Sequence, residues 1–317
     1  MGNSFLTESV MFYNVENLFR PDDKPQFRNQ PSKSGLRNWN TYRYENKLFK
    51  IAHVFELAKE EFGAVPSIIG LAEIQGRDVL EDLVKKPNLE NYGIVHYESM
   101  DERGVDVALL YDKTKVEILF SEPISYFFEI PNTSPQAFDT TRDVLYCKVK
   151  IADVICHVYV VHLPSKRERD INKPKRNYIL KDLGERIQDV LVDKNEPILV
   201  MGDFNENPSA DELKNLTINK DFNKILTNTS EELYNKGKFS TFYYKDGLLF
   251  DQILLSDYFF NEDSKVSLNE SLVFQPEKIG SWDRKFRGRP FRTYSGTRYL
   301  GGYSDHFPVM VTLNIKG

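Results

Sequence analysis

Near one end of the chain, in GGYSDHFPV, an acid and a histidine (Asp305 and His306) stand together at the start of an apolar run. Comparable polar groups mark the ends of other apolar runs. Asn14 and Glu16 close FYNVEN, Glu73 closes LAEIQ, His162 closes VVHLPS, Asp203 with Asn205 closes ILVMGDFN, and Asp251 opens FDQILLS. A solvated strand end explains any one of them, and Asx-turns alone would account for Asp203 and Asn205. Together they are the parts of a metal-assisted attack on a phosphate ester. The hard oxygens of Glu73, Asn14, Glu16 and Asp305 suit Mg²⁺, which takes few protein ligands and keeps several waters. Asp203 can take a proton from an attacking water. His306, its ring fixed by Asp251, can contact or protonate the phosphoryl oxygens as charge develops, with Asn205 and His162 as further donors. The scattered histidines offer no zinc cage, and His53, His96 and His157 read as structural.

Those groups need elements that carry them to one place. The runs SVMFYNV, SIIGLAE, VDVALLYD, VLYCKVKI, VICHVYVVHL, PILVMGD, FDQILLS and HFPVMVTLNI read as strands, bounded by Gly, Pro, Asn or Asp. The fourth and fifth form one hairpin turning at Ala152 and Asp153. Leu48, Ile51, Val54, Phe55 and Ala58 share one helical face; Ile179, Leu180, Leu183, Ile187, Val190 and Leu191 share another, with Pro174 near its start. Shorter helices are expected around 78–84 and 209–216. Many strands with helices between them, and no strict βαβ alternation, predict two mainly antiparallel sheets packed face to face and covered by helices. In such a sandwich the C-terminal ends of up-strands and the N-terminal ends of down-strands share one rim, where all these polar groups would meet.

Composition sets the outer limits. The 317 residues, 40% of them hydrophobic, supply a real core, and without a Pro-, Gly- or Ser-rich linker they read as one domain, 1–317. A net charge of −5 argues against coating nucleic acid by bulk charge. No apolar run of about 18 residues spans a membrane. The start, MGNSFLTESV, has no signal-peptide pattern, so the cytoplasm is the default, although a secreted or periplasmic form with its signal trimmed would read alike. Cys147 and Cys156 lie in alternating apolar runs and read as buried thiols.

The motifs YNVENLF, LAEIQ, VVHLPS, MGDFN, FDQILLS and YSDHFPV resemble, in order, the series of the endonuclease/exonuclease/phosphatase superfamily, from Asn14 to Val309. The resemblance implies a four-layer sandwich and Mg²⁺, with Mn²⁺ able to substitute. It makes Glu73 the principal metal ligand with Asn14, Glu16 and Asp305 near the ion. Asp203 then serves the nucleophilic water, Asn205 holds a phosphate oxygen, and Asp251 pairs with His306. Within the family, HLPSKRERDINKPKRNY is similar to the inositol 5-phosphatase pattern at Arg176 and Asn177, although FDQILLS lacks the flanking residues of that branch. Arg142, in TTRDVLY, matches a deoxyribonuclease arginine near the phosphate.

From Trp282 to Tyr303 the chain concentrates Arg284, Lys285, Arg287, Arg289, Arg292 and Arg298 against one acid, Asp283, with aromatics interleaved. Guanidinium forks suit phosphate oxygens and rings can stack on bases, so this stretch is expected to recognise substrate through Arg287, Arg289 and Arg292. The reading is a monomeric, Mg²⁺-dependent phosphoesterase whose phosphoester substrate is a nucleic acid. A phosphatase or phosphodiesterase acting on an inositol phosphate, a phospholipid or another small ester is the alternative. A non-catalytic binding relative is the reading from another class.

Overall fold

The computed structural model describes residues 6–23, 36–131, 133–166, 169–194, 196–221 and 223–316. Residues 1–5, read above for the lack of a targeting segment, lie outside the described residues. The first part of the chain forms β1 (Leu6–Leu18), α1 (Thr41–Phe62), β2 (Ile68–Ile74), α2 (Arg77–Leu83), β3 (Tyr92–His96) and β4 (Asp106–Asp112). The middle forms β5 (Val116–Ile124), β6 (Phe127–Ile130), β7 (Ala137–Thr140), β8 (Val144–Ile151), β9 (Val154–His162), α3 (Lys173–Lys194) and β10 (Ile198–Asp203). Then come α4 (Asp211–Leu216), β11 (Leu226–Asn228), α5 (Ser230–Asn235), β12 (Thr241–Tyr243), β13 (Asp246–Leu248) and β14 (Asp251–Ser256). The last strands are β15 (Val266–Val273), β16 (Tyr294–Ser295), β17 (Arg298–Tyr299) and β18 (Val309–Ile315).

Two six-stranded sheets dominate, ordered β15-β18-β1-β2-β4-β3 and β11-β14-β10-β9-β8-β5. The pairs β1–β2 and β9–β10 run parallel and the others antiparallel, so both sheets are mixed. The inner strands are apolar on both faces because each is covered twice, by the other sheet and by helices, which is why SVMFYNV and PILVMGD read as continuous runs. One core joins the facing sheets to α1; a second lies between the outer face of the second sheet and α3 with α4. Gly70 makes the sheet-to-sheet approach possible, since a Cβ there would stand 2.9 Å from Met201. The expected hairpin turns at Ala152 and Asp153, both at positive φ, as a two-residue turn matching strand twist requires. Cys147 and Cys156 are buried free thiols, pushed up to about 12 by burial.

α1 starts at Asn40, whose side chain accepts from Arg43 N, and stops at Gly63 in the left-handed conformation. Its inward face carries one residue an apolar stripe does not want. Lys47 is four positions before Ile51 and fully buried.

Candidate active site

Strand direction brings the polar ends together. In the second sheet Asp203 lies beside His162 on one side and Asp251 on the other, making a row across three strands. In the first sheet Asn14 sits beside Ala72, so Glu73, the next residue of β2, lies at the same level. The two rims touch where the Asn14 amide donates to Asp203 Oδ2 at 3.1 Å. The polar positions also leave the regular path. Glu16, Glu73 and Asn205 all have positive φ (53°, 66° and 51°), and the β1–β2 register shifts between Asn14 and Leu18. Such irregularities at a sheet end turn side chains out of the pleat.

At the centre, His306 Nδ1 stands 2.6 Å from Asp251 Oδ2, and the ligand atoms of Asp203, Asp251 and His306 lie within 4.8 Å of one another. Burial alone would lower His306, but the charge and hydrogen bond of Asp251, with Asp305 and Asp203 behind it, raise it well above the ordinary imidazole range. Burial, then the charge of Asp251, lifts Asp203 to about 7 despite the donors Asn205 N and Asn14 Nδ2. His162 takes the opposite course: burial, then Arg142 and Arg103, holds it well below its usual value, so it is neutral. Its Nε2 is 3.8 Å from Asp203 Oδ2. The row and the His306 at its end therefore combine a cationic imidazole, a neutral one and a carboxylate poised near neutrality.

Asn205 donates to Leu163 O at 2.9 Å. Glu73 accepts from Asn17 N at 2.9 Å, and Arg292 bridges to Asp305 Oδ2 at 2.9 Å. The carboxylates of Glu73, Asp203, Asp251 and Asp305 are hard donors, and Asp251 Oδ1 is buried without a hydrogen-bond partner. Among the described residues, Asp203, Asp251 and His306 are the group whose ligand atoms converge closely enough to share an ion, and the carboxylate oxygens of this rim suit a divalent cation. The other two expected ligands, Asn14 and Glu16, accept hydrogen bonds from the backbone. Asn14 spends its carbonyl oxygen on Glu16 N (3.1 Å), and Glu16 turns both carboxylate oxygens to the backbone N–H groups of Thr293 and Tyr294.

The expected substrate contacts divide in the same way. Arg142 is buried beside Asp101, just before β8, whose N-terminal end belongs to the rim. Arg176 is a correction to the 5-phosphatase pattern. It is fully buried and donates to Pro164 O, Asp170 and Glu206, so it ties the loop after β9 to the loop after β10. Asn177, the next residue, is exposed on α3 along a groove facing α4 and lies away from the catalytic row. Arg287 is exposed, whereas Arg289 is packed over Phe242 and Phe286 and donates to Tyr244 O.

Sequence reasoning missed three residues. Arg103 donates to Asn17 Oδ1 from the loop entering β4, and nothing in DERGVD announces it. Ser304 accepts from His306 N and donates to Asn14 O, fixing the pair that follows it. Lys47 was detectable as a cation on the apolar stripe of α1. Burial pushes it down to about 8 although Glu16, Asp305 and Glu73 pull it up.

Comparison with known proteins agrees with this fold. The sequence matches the Endonuclease/Exonuclease/phosphatase family over residues 9–315. Its fold is similar to that of D. rerio TDP2 complexed with single strand DNA product (TM-score 0.59, 17% identity, 97% of this chain and 99% of that one). The human Nocturnin catalytic domain with bound sulfate is also similar (0.60, 15%, 99% and 98%). So is the Bacteroides thetaiotaomicron mannosyl-6-phosphatase Bt3783 (0.56, 16%, 96% and 99%). No curated protein matches the chain. With ordered motifs on one rim of two facing sheets and a family match over nearly its whole length, the chain belongs to the endonuclease/exonuclease/phosphatase family.

Proposed function

We propose that this protein hydrolyses phosphodiester bonds of nucleic acid with the help of Mg²⁺. The observation that carries the reading is the row His162–Asp203–Asp251 with His306 against its end. Asp203, near 7, is suited to accept the proton of an attacking water, and His306, kept cationic by Asp251, is suited to face the charge that develops on the phosphoryl oxygens. Asn205 and neutral His162 flank Asp203 as further donors. Glu73 and Asp305 are the residues that would hold the cation, which supplies charge neutralisation at the phosphate.

The preference for nucleic acid rests on the rim beside His306. Exposed Tyr243, Tyr244, Trp282 and Phe286 stand with Arg284, Lys285 and Arg287 on the β12–β13 hairpin and on the segment that Arg289 joins to it. Aromatic faces between cations suit bases between phosphates. Among the structural neighbours, the TDP2 complex holds a single strand DNA product and Bt3783 is a mannosyl-6-phosphatase, so fold alone leaves both substrate sizes open. The burial of Arg176 removes one support of the inositol phosphatase alternative. The test is a parallel assay of single-stranded DNA, plasmid DNA, RNA, inositol phosphates and sphingomyelin with Mg²⁺, against a His306→Ala control. Nucleic-acid cleavage that the control lacks supports the proposal. Turnover confined to a small or lipid ester overturns the substrate class, and no turnover above the control on any ester overturns the enzymatic reading.

A further inference from the structure

We propose that Glu16 and Lys47 form a buried clamp that positions the segment 291–304, and that Glu16 is a positioning residue and not a cation ligand. The two charges meet on one residue. Glu16 accepts from Thr293 N at 2.5 Å and from Tyr294 N at 3.2 Å, while Lys47 donates to Thr293 Oγ1 and to Tyr303 O, each at 2.6 Å. Lys47 thereby bridges the two ends of the loop, one at Thr293 and the other at Tyr303. Thr293 O in turn accepts from Leu300 N and Gly301 N, and Phe291 O accepts from Tyr303 N. Gly302 has no room for a Cβ, which would lie 2.1 Å from Phe291 O. The segment is thus stitched across its own width and fastened to β1 and α1 by opposite charges.

What the clamp holds is chemical. Arg292 precedes Thr293 and bonds Asp305; Tyr303 precedes Ser304, which fixes His306 through its backbone. A shift at Thr293 would move the guanidinium, and a shift at Tyr303 would move the Asp305–His306 pair. Both carboxylate oxygens of Glu16 are occupied by N–H groups that fix its direction toward the segment. Loss of either side chain leaves buried groups of the segment without their partners, the Thr293 and Tyr294 N–H groups or the Tyr303 carbonyl, and a buried polar group left unpaired is costly.

The experiment uses Glu16→Gln, Lys47→Met, the double variant, and Glu73→Gln for comparison. Three readouts are taken: hydrogen exchange of amides 291–304, titration with Mg²⁺ alone, and steady-state kinetics on whichever phosphodiester the enzyme turns over. Each single variant at 16 or 47 should speed exchange at Thr293, Tyr294 and Tyr303 by about tenfold or more, as a local opening does. Glu16→Gln should keep its Mg²⁺ affinity while Glu73→Gln loses about tenfold to a hundredfold. The kinetic loss should fall on kcat more than on KM, and the double variant, which loses the fastenings of both residues, should be no better protected than either single change. Thr293→Val, which leaves both charges in place, should loosen the segment, and Thr293→Ser should restore it if the charge variants do not fold. Unchanged exchange in Lys47→Met or Thr293→Val overturns the clamp. A Glu16→Gln loss of Mg²⁺ affinity equal to that of Glu73→Gln returns Glu16 to the ligand set. Only the kinetic readout rests on the phosphodiesterase reading; exchange and Mg²⁺ titration need no turnover, so failure of either idea is seen separately.

Discussion

His306 and Asp251 share a 2.6 Å hydrogen bond between Nδ1 and Oδ2, and Asp251 is completely buried beneath it. The bond orients the ring and keeps it protonated, leaving Nε2 as the atom available to substrate. Asp251→Asn should therefore cost about 10²- to 10⁴-fold in kcat with little change in KM. In the same variant the limb of the pH profile that requires cationic His306 should move to lower pH. A defect confined to KM would make Asp251 a substrate contact.

Asp203 gives a stability prediction with a definite sign. Its carboxyl titrates at about 7 in the folded protein and at about 3.9 in the unfolded chain. The folded state thus holds the proton more tightly, and wild type loses stability as pH rises between those two values. Asp203→Asn abolishes that loss. In EDTA, its melting temperature should exceed that of wild type at pH 8, and the difference should shrink steadily toward pH 4. Activity should run the other way, falling in wild type as pH drops below about 7 because the base becomes protonated.

Glu73→Gln keeps the size and the bond from Asn17 N while removing the charge. Mg²⁺ binding should weaken by about tenfold or more, turnover should fall with it, and the melting temperature without metal should stay near that of wild type. Isothermal titration with Mg²⁺ is the check. Unchanged affinity would take Glu73 out of the cation site.

Arg176 supplies the contrast. With both acids Asp170 and Glu206 on one guanidinium, Arg176→Met should destabilise the protein by about 3–5 kcal/mol, as loss of one buried partner does. Denaturation measures that cost, and KM for any substrate should hardly move. A large KM effect with normal stability would restore the substrate role that the sequence pattern suggested.

Arg287 and Arg289 should separate in a salt titration. Exposed Arg287 is free to meet a phosphate, so Arg287→Ala should flatten the log-log salt dependence of DNA binding by roughly 0.7 to 0.9. Arg289 holds the segment to the β12–β13 hairpin through Tyr244 O and the rings of Phe242 and Phe286. Its loss should weaken binding with a smaller change of slope. Equal slopes for wild type and Arg287→Ala would remove that residue from the phosphate path.

Most of the strands that were legible are buried on both faces, while VLYCKVKI was read from its alternation. SIIGLAE and PILVMGD have no solvent side to dilute their apolar signal. The edge strands were not read, because LTN and VSLNESLV carry the polar residues that half-exposed edges tolerate. The row His162–Asp203–Asp251 was legible because each member stands at the end of an apolar run. Arg176 misled because a pattern of residue types says nothing of which neighbours a guanidinium finds, and here Asp170 and Glu206 reach it from two loops. The partners of Glu16 were not legible for a related reason: they are backbone N–H groups of Thr293 and Tyr294, which no side-chain motif records. Lys47 was visible in the helical spacing, but its meaning came only with the segment it fastens.

β18 lies between β15 and β1, and its register ties Leu6 to Ile315. β1 thus stays unpaired on that side until Val309–Ile315 has been synthesised. Pairing across such a span is slow, because loop closure must be met before contacts reward it. A nascent chain can assemble the second sheet and still lack a hydrolytic centre, since His306 and Asp305 enter last. The order of synthesis thus delays the docking of His306 against Asp251 until the strand that follows it has been made, and a factor that shields β1 would set how soon the two residues meet.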